Sequence, residues 1–517
     1  VKLRIVISLI LWVCCTQREG FAQNAEFPNP GTLYDGRLHK IELLLNSDSL
    51  IALFHSDNRW TNHSYPANFI YDERDTIKMV GVRIKGNSSR NAIKQSLKID
   101  IDEFRNITYQ GLKTFNLNGN HNDPSMSREF LSAQVMFRSE IASLRANSVK
   151  LFINGTYYGL YTHAEQVNKQ FLESRFGNNN GNLYKCSWPA DLSWIDGNQN
   201  SYKSIINQPI LNERAYDLKT NEKADDYSNL VALIRTINKT PDANFKQAID
   251  TIFEVSSYLK TLAAEVLIGH WDNYFFNKNN YYLYHNPVTK KFTYLPYDMD
   301  NTFGVQWGVS NINNRNIHDW GNLSGAKSPL TYRILAVPEF KIKYENYLRT
   351  LIDSVFNEQV LFPVLDSMKI ILANAIESDP YFSGKWPSDY GYTIKNWENS
   401  YNSPIDDHAT FGLKPYISER VKSARSQFLF KPNTSDIYLK DKLKIYPMPA
   451  AHSIFVTGNG GFNHYKITNS MGIVIVEGEF KNSFNEICTD VLSNGIYHLT
   501  LDNNHESKRL PFVIVKN

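Results

Sequence analysis

The sequence predicts an α+β fold: a sheet-rich N-terminal part, a helical second part and a small C-terminal β-sandwich. Three observations carry this. From Lys40 to about Ile101 the chain is built of short alternating or apolar runs, "HKIELLL", "ANFIYD", "TIKMVGVRIKG" and "QSLKIDI", which read as strands. From Asp242 onward helical stripes dominate, with Ile252, Val255, Leu259, Leu262 and Val266 at three- and four-residue steps. The last eighty or so residues return to short strands separated by "NGG", "NSMG" and "SNG" turns.

Taken in order, the first element is "VKLRIVISLILWVCCTQREGFAQ". Lys2 and Arg4 precede an apolar run from Ile5 to Cys15, and small residues near Ala22 suit a signal peptidase, so residues 1–22 read as a secretory signal peptide. Trp12 and Val13 stand where a lipoprotein signal has small residues, which disfavours a lipid anchor on Cys14 or Cys15. No later segment reads as a transmembrane segment.

Within Met79 to Lys85, Val82 and Ile84 face one way while Arg83 and Lys85 face the other. "GNSSR", Gly86 to Arg90, makes a polar turn before the strand at Lys94 to Ile101; such a turn can offer N–H groups to phosphates or be an ordinary hairpin. "DPSMSREFLSAQVMFRSEIA" predicts a helix starting near residue 124, and Asn154-Gly155 a hairpin. Further helices are expected from Ser328 to about Ser378, then an aromatic irregular stretch, a closing helix in "RVKSARSQFLF" and a linker at 431–436.

Composition narrows the function. Lysine and arginine total 55 against 52 acidic residues, a net charge of +3, which points to no nucleic acid and no acidic membrane surface as partner. Outside the leader only Cys186 and Cys488 remain, so neither a disulfide framework nor a zinc site is expected.

The chemistry concentrates in "YLPYDMDNTFG", where Asp298 and Asp300 follow an aromatic strand. Paired carboxylates suit Mg²⁺, although Asp and Asn also cap turns. As a phosphatase nucleophile motif the pair would sit on an early strand of a parallel sheet, and here it sits far into the chain, after a hairpin. An EF-hand loop would need Gly at its sixth position and a terminal Glu, and both are missing.

The order of elements is more informative. A long helix ends at His270, "HWDNYFFN" places Asp272 and Asn277 in the next loop, "NYYLY" and "FTYLPY" form a hairpin, and Asp298 follows. Protein kinases hold their H-R-D-x-x-x-x-N loop and later metal-binding aspartate in this order, and Asp272 and Asn277 stand at the spacing of that loop. One carboxylate orients the acceptor hydroxyl, while an amide oxygen and a second carboxylate hold Mg²⁺ on the ATP phosphates.

"VGVRIKGNSSR…KQSLKIDI", "FINGTYYGLYTHAEQV", "HWDNYFFNKNNYYLYH" and "YLPYDMDNTFG", in that order, resemble the CotH family of spore-coat and secreted atypical kinases across residues 35–430. The resemblance implies a two-lobed, kinase-like fold, with a sheet-rich N-lobe and a helical C-lobe, that transfers phosphate from ATP to serine or threonine of secreted or surface proteins with Mg²⁺ or Mn²⁺. It makes Asp272 the catalytic base, Asn277 and Asp298 metal ligands, and Asp300 a further acidic group at the metal. Lys98 is the first choice for the phosphate lysine, Lys85 its competitor, and Glu165 a candidate near the nucleotide hinge. There are departures from kinases. No G-x-G-x-x-G loop is present, Trp271 replaces the arginine of H-R-D, and "DMD" replaces D-F-G.

The C-terminal run "LKIYPMPAAHSIFV…YKITNSMGIVIVEGEF…GIYHLTL…KRLPFVIVKN", within 437–517, is similar to sorting domains of type IX secretion substrates, with Tyr446-Pro447-Met448-Pro449 in place of Y-P-N-P. It implies the type IX secretion machinery as a partner and a secreted or outer-surface location in a Gram-negative bacterium. The alternatives are an accessory adhesion sandwich here and, for the whole chain, a surface scaffold that performs no catalysis.

Overall fold

The computed structural model describes residues 33–308, 311–321 and 328–429, and most of 444–516. The expected signal peptide at 1–22 and linker at 431–436 lie outside the described residues, as do Pro447, Met448 and Pro449.

Seven strands open the described chain: β1 (His39–Leu44), β2 (Tyr65–Tyr71), β3 (Asp75–Ile84), β4 (Leu97–Asp100), β5 (Thr114–Asn118), β6 (Ala146–Ile153) and β7 (Thr156–Ala164). They form one continuous sheet. They close into a barrel in the order β1-β2-β3-β4-β5-β7-β6, with β6 parallel to β1. Closure pairs every strand on both sides and leaves no edge. Ile41, Leu43, Val82, Ile84, Leu97, Ile99 and Leu117 fill the interior. Because side chains alternate, Arg83 on β3, Lys98 on β4 and Asn116 on β5 stand side by side on the outer face.

The helix expected near residue 124 begins later, at Arg128, and runs to Arg138. The reason is Asp123, whose carboxylate accepts the backbone N–H groups of Ser125, Ser127 and Arg128 and holds the preceding residues in a turn.

Beyond the barrel, β8 (Asn182–Cys186), β9 (Ile206–Gln208), β10 (Glu213–Arg214), β11 (Tyr216–Leu218), β12 (Tyr281–His285) and β13 (Phe292–Pro296) follow. β9 and β10 pair with each other, and the rest form a sheet in the order β11-β8-β12-β13. The apolar stripe from Ile252 to Val266 belongs to two helices, Asp242–Ile252 and Val255–Ile268. The chain breaks between them because Phe253 bridges to Phe292 and Glu254 N–H donates to Phe292 O at 2.9 Å. Helix Ser228–Lys239 is an additional element that the sequence reading did not name.

Helices Pro329–Ala336, Pro338–Ser354, Glu358–Glu377 and Leu413–Ser426 complete this part. Contrary to expectation, Glu358–Glu377 is long and apolar enough to cross a membrane by length and composition. It buries only one face, through Leu361, Leu365, Met368, Leu372 and Ile376, against the core of the helical part, and carries Asp366 and Lys369 elsewhere on its surface. That is the pattern of an amphipathic core helix.

The C-terminal strands are β14 (Lys444–Tyr446), β15 (Ser453–Thr457), β16 (His464–Asn469), β17 (Val474–Glu479), β18 (Phe484–Cys488), β19 (Gly495–Asp502) and β20 (Ser507–Ile514). They form a three-stranded sheet, β14-β15-β18, and a four-stranded sheet, β17-β16-β19-β20. Ile454, Val456 and Ile487 of the first share one apolar cluster with Ile467, Leu499 and Phe512 of the second. The architecture is mixed α+β with a sheet-rich part, a helical part and this C-terminal strand region.

Candidate active site

The site starts at a helix end. Val255–Ile268 stops at Gly269, which has φ +76° and lies so close to Tyr416 that a Cβ would stand 2.1 Å from its hydroxyl. Only glycine fits there, and the turn it makes releases the chain into "HWDNYFFN". Trp271 anchors this loop by donating from Nε1 to Val305 O at 2.9 Å. Glu265 accepts from Asn273 at 2.9 Å and from Tyr294 on β13 at 3.0 Å. The tryptophan that replaces arginine is therefore a structural pin between the two acidic loops.

Asp272 is held by three amides. Asn277 and Asn279 donate to Oδ1 and Asn280 to Oδ2, the last at 2.8 Å. Burial nevertheless raises its carboxyl above the usual carboxylate range, with the Asn277 and Asn279 hydrogen bonds opposing. The bond from Asn277 uses its amide nitrogen and leaves its carbonyl oxygen as a potential metal ligand.

The second acidic loop is docked on the first. Phe303 N–H donates to Ile268 O at 2.7 Å, and Ser132, on the Arg128–Arg138 helix, donates to Met299 O at 3.1 Å. Asp298 sits at φ 52°, a left-handed conformation that aspartate tolerates better than most residues. Met299 is buried while Asp298 and Asp300 stay half-buried, so the alternation turns both carboxylates away from the core. Burial, then Asp298, Glu129 and Asp272, push the Asp300 carboxyl well above its ordinary value.

Glu129 was not anticipated. It lies in the first turn of its helix, is 2% exposed, and accepts Asn118 Nδ2 at 2.9 and 2.7 Å. Burial and the charge of Asp298 push its carboxyl up to about 7. Lys85, just past β3, donates to Asn118 Oδ1 at 2.6 Å; burial lowers its pKa, and the charges of Asp298 and Glu129 oppose that. The available signal was an acidic residue in a helix first turn, which ordinarily reads as dipole compensation.

Asp272, Asn277, Asp298, Asp300, Lys85 and Lys98 all line one cleft of about 890 Å³ between the outer face of the barrel and the helical part. Lys98 reaches the cleft, but its ammonium is 2.9 Å from Asp100, so the geometry favours Lys85 over Lys98 as a phosphate-binding cation. Glu165 does not line it. It is 3% exposed, bound by the half-buried Arg145 at 2.8 Å and the buried Arg175 at 2.6 Å, and against the effect of burial these two guanidinium groups hold its carboxyl down to about 2. Its side chain is closed in an ion cluster, while the next residues, Gln166 and Val167, line the cleft.

Among the described residues, no group of three or more His, Cys, Asp or Glu side chains converges as a metal site on its own. The donors available are hard oxygens, the carboxylates of Asp298 and Asp300 and the carbonyl of Asn277. Their excess negative charge suits Mg²⁺, which commonly completes its shell with water and substrate phosphates.

The arrangement defines an α+β protein with an acid-lined cleft between a barrel and a helical body. The family follows from comparison. Residues 82–410 match the family model described as CotH kinase protein, and the chain belongs to this family. Residues 444–516 match the secretion system C-terminal sorting domain.

The chain is 28% identical over 304 residues to the inner spore coat protein H of Bacillus subtilis, covering 58% of this chain and 79% of that protein. It is 24% identical over 375 residues to the invasin CotH2 of Rhizopus delemar, covering 67% of this chain and 59% of the invasin. With invasin CotH3 of the same fungus the identity is 24% over 336 residues, 61% of this chain and 54% of that protein. The chain thus spans little more than half the length of these invasins.

Proposed function

We propose that the protein is an exported, atypical protein kinase of two-lobed type, the barrel and its Arg128–Arg138 helix serving as one lobe and the helical part as the other. It transfers the terminal phosphate of ATP to serine or threonine hydroxyls of secreted or surface proteins. One observation carries the reading: a single cleft gathers an amide-braced carboxylate, a pair of carboxylates after a hairpin, and a lysine beside a buried glutamate.

Asp272 orients the acceptor hydroxyl and takes its proton as the new oxygen–phosphorus bond forms and the bond to ADP breaks. Its raised pKa makes it a better base than an exposed aspartate. Asn277, Asn279 and Asn280 fix its orientation. Lys85 binds phosphate oxygens; Asn118, which accepts from Lys85 and donates to Glu129, places that ammonium, and the charge of Glu129 opposes the effect of burial on it. Asn277, Asp298 and Asp300 would hold Mg²⁺, which supplies charge neutralisation on the phosphates when bound.

The C-terminal sorting domain supports export by the type IX system and a cell-surface or secreted location. A second reading, a surface scaffold without catalysis, is favoured by the relatives' own names, which are of coat and invasin proteins. Incubating the purified chain with labelled ATP, Mg²⁺ or Mn²⁺ and surface proteins of its own cell separates the two. Label appearing in protein supports the kinase; none, with no nucleotide bound, supports the scaffold.

A further inference from the structure

The cleft carries two further lysines, Lys185 and Lys219, for which the kinase reading has no role. Lys185 lies in the middle of β8, opposite Asp217 on β11 and Tyr282 on β12, and it lines the cleft with Lys85 and Lys98. The four ammonium groups are occupied differently, and Lys219 is paired with Asp217. Lys98 is taken by Asp100, and Lys85 by Asn118 and the field of Asp298 and Glu129. The Lys185 side chain makes no hydrogen bond or ion pair among the described residues; its ammonium lies 5.9 Å from the centroid of the Tyr297 ring.

One consequence follows from elementary electrostatics. Asp217, across the ladder from Lys185, is taken by Lys219. Burial lowers the Lys85 pKa, the charges of Asp298 and Glu129 oppose that, and Lys185 and Lys98 add to it by repulsion. One polyanion bridging the barrel wall and the sheet floor relieves that repulsion. A neutral base or sugar does not.

We propose that Lys185 is a phosphate-binding residue, holding from β8 the same polyphosphate that Lys85 holds from the barrel. The proposal rests on the nucleotide-binding reading of the cleft and adds to it a contact from the second wall. Phosphate is the shared chemistry, whether it arrives on a nucleotide or free. An ammonium compact enough to turn its three donors toward several oxygens suits it.

The test is calorimetric titration of the full chain, wild type, Lys185→Met and Lys185→Arg, with ATP, adenosine and inorganic tripolyphosphate in the presence of Mg²⁺. Lys185→Met is expected to weaken ATP by about tenfold, the size of one charge-assisted hydrogen bond, with adenosine unchanged and Arg restoring most of the loss. A parallel loss for tripolyphosphate alone, with ATP unaffected, would assign the lysine to free phosphate and overturn its role in nucleotide binding. Equal losses for ATP and adenosine would make it a packing residue, and unchanged ATP would remove it from the site, each overturning the proposal while the nucleotide reading stands. Wild-type protein that binds none of the three probes would sink both. An unchanged unfolding midpoint confirms that the variants are folded.

Discussion

Glu129 and Glu165 are both buried glutamates beside the barrel, and their surroundings drive them in opposite directions. Glu165 is closed in by Arg145 and Arg175 and held down to about 2. Glu129 has an amide from Asn118, a lysine with its own competing partners, and the charge of Asp298, and it is pushed up to about 7. Burial raises a carboxyl in both places; only the first supplies enough positive charge to reverse it. The first cluster is complete and ties Arg145, just before β6, to Arg175 on the Lys169–Phe176 helix. In the second, Asp272, Asp298, Asp300 and Glu129 influence one another with Lys85 among them, an excess of acid that suits a binding site better than a structural one.

The comparison is sharpened most by Asp298→Asn, which removes charge from the acidic cluster. Nucleotide affinity in Mg²⁺ is expected to fall about tenfold or more and transfer about a hundredfold or more. Titration and a transfer assay check this, and wild-type values in both would place Asp298 outside the site.

Glu165→Gln is expected to act on stability instead. It leaves the buried guanidinium of Arg175 and the half-buried one of Arg145 without their anion, at a cost of about 3–5 kcal/mol. Urea unfolding measures this, and Mg·ATP affinity of the folded fraction should be unchanged. A loss of affinity without a loss of stability would return Glu165 to the cleft.

The pH dependence of stability should differ in sign between the two. Glu165 titrates lower in the folded state than in the unfolded chain, so its contribution is present above the unfolded carboxyl range, about 4.5, and is lost as pH falls toward 2. Glu129 titrates higher in the folded state, so the unfolded chain loses that proton first and stability declines as pH rises from about 4.5 to 7. Unfolding midpoints across this range should show the second slope flattened in Glu129→Gln. An unaltered slope would mean that Asn118 and Lys85 already compensate the glutamate.

The smallest effect on the cleft is expected from deleting everything after Asn433. Nucleotide affinity should be retained, while export is lost. Normal export of the truncated chain would contradict the sorting role.

The strands around Val82 and Ile99, the Asn154-Gly155 hairpin and the alternation of Asp298, Met299 and Asp300 were legible because each is written in local periodicity. Barrel closure was not, since β6 meets β1 through residues more than a hundred positions apart. The acids of the two loops could be placed together because a fixed hairpin separates them. Glu129 could not, because its approach to Lys85 depends on how a helix docks between β5 and the acidic loop. The ion cluster of Glu165 was not legible either: its arginine partners stand 20 positions before it and 10 after it, and a lone glutamate at a strand end does not announce such a cluster.

The measurement that bears most directly on the central claim is phosphate transfer by Asp272→Asn. The substitution keeps the size of the side chain and removes the carboxylate that Asn277, Asn279 and Asn280 hold in place. Transfer from labelled ATP to surface proteins should be lost while Mg·ATP binding stays near the wild-type value. Full transfer by this variant would contradict the mechanism.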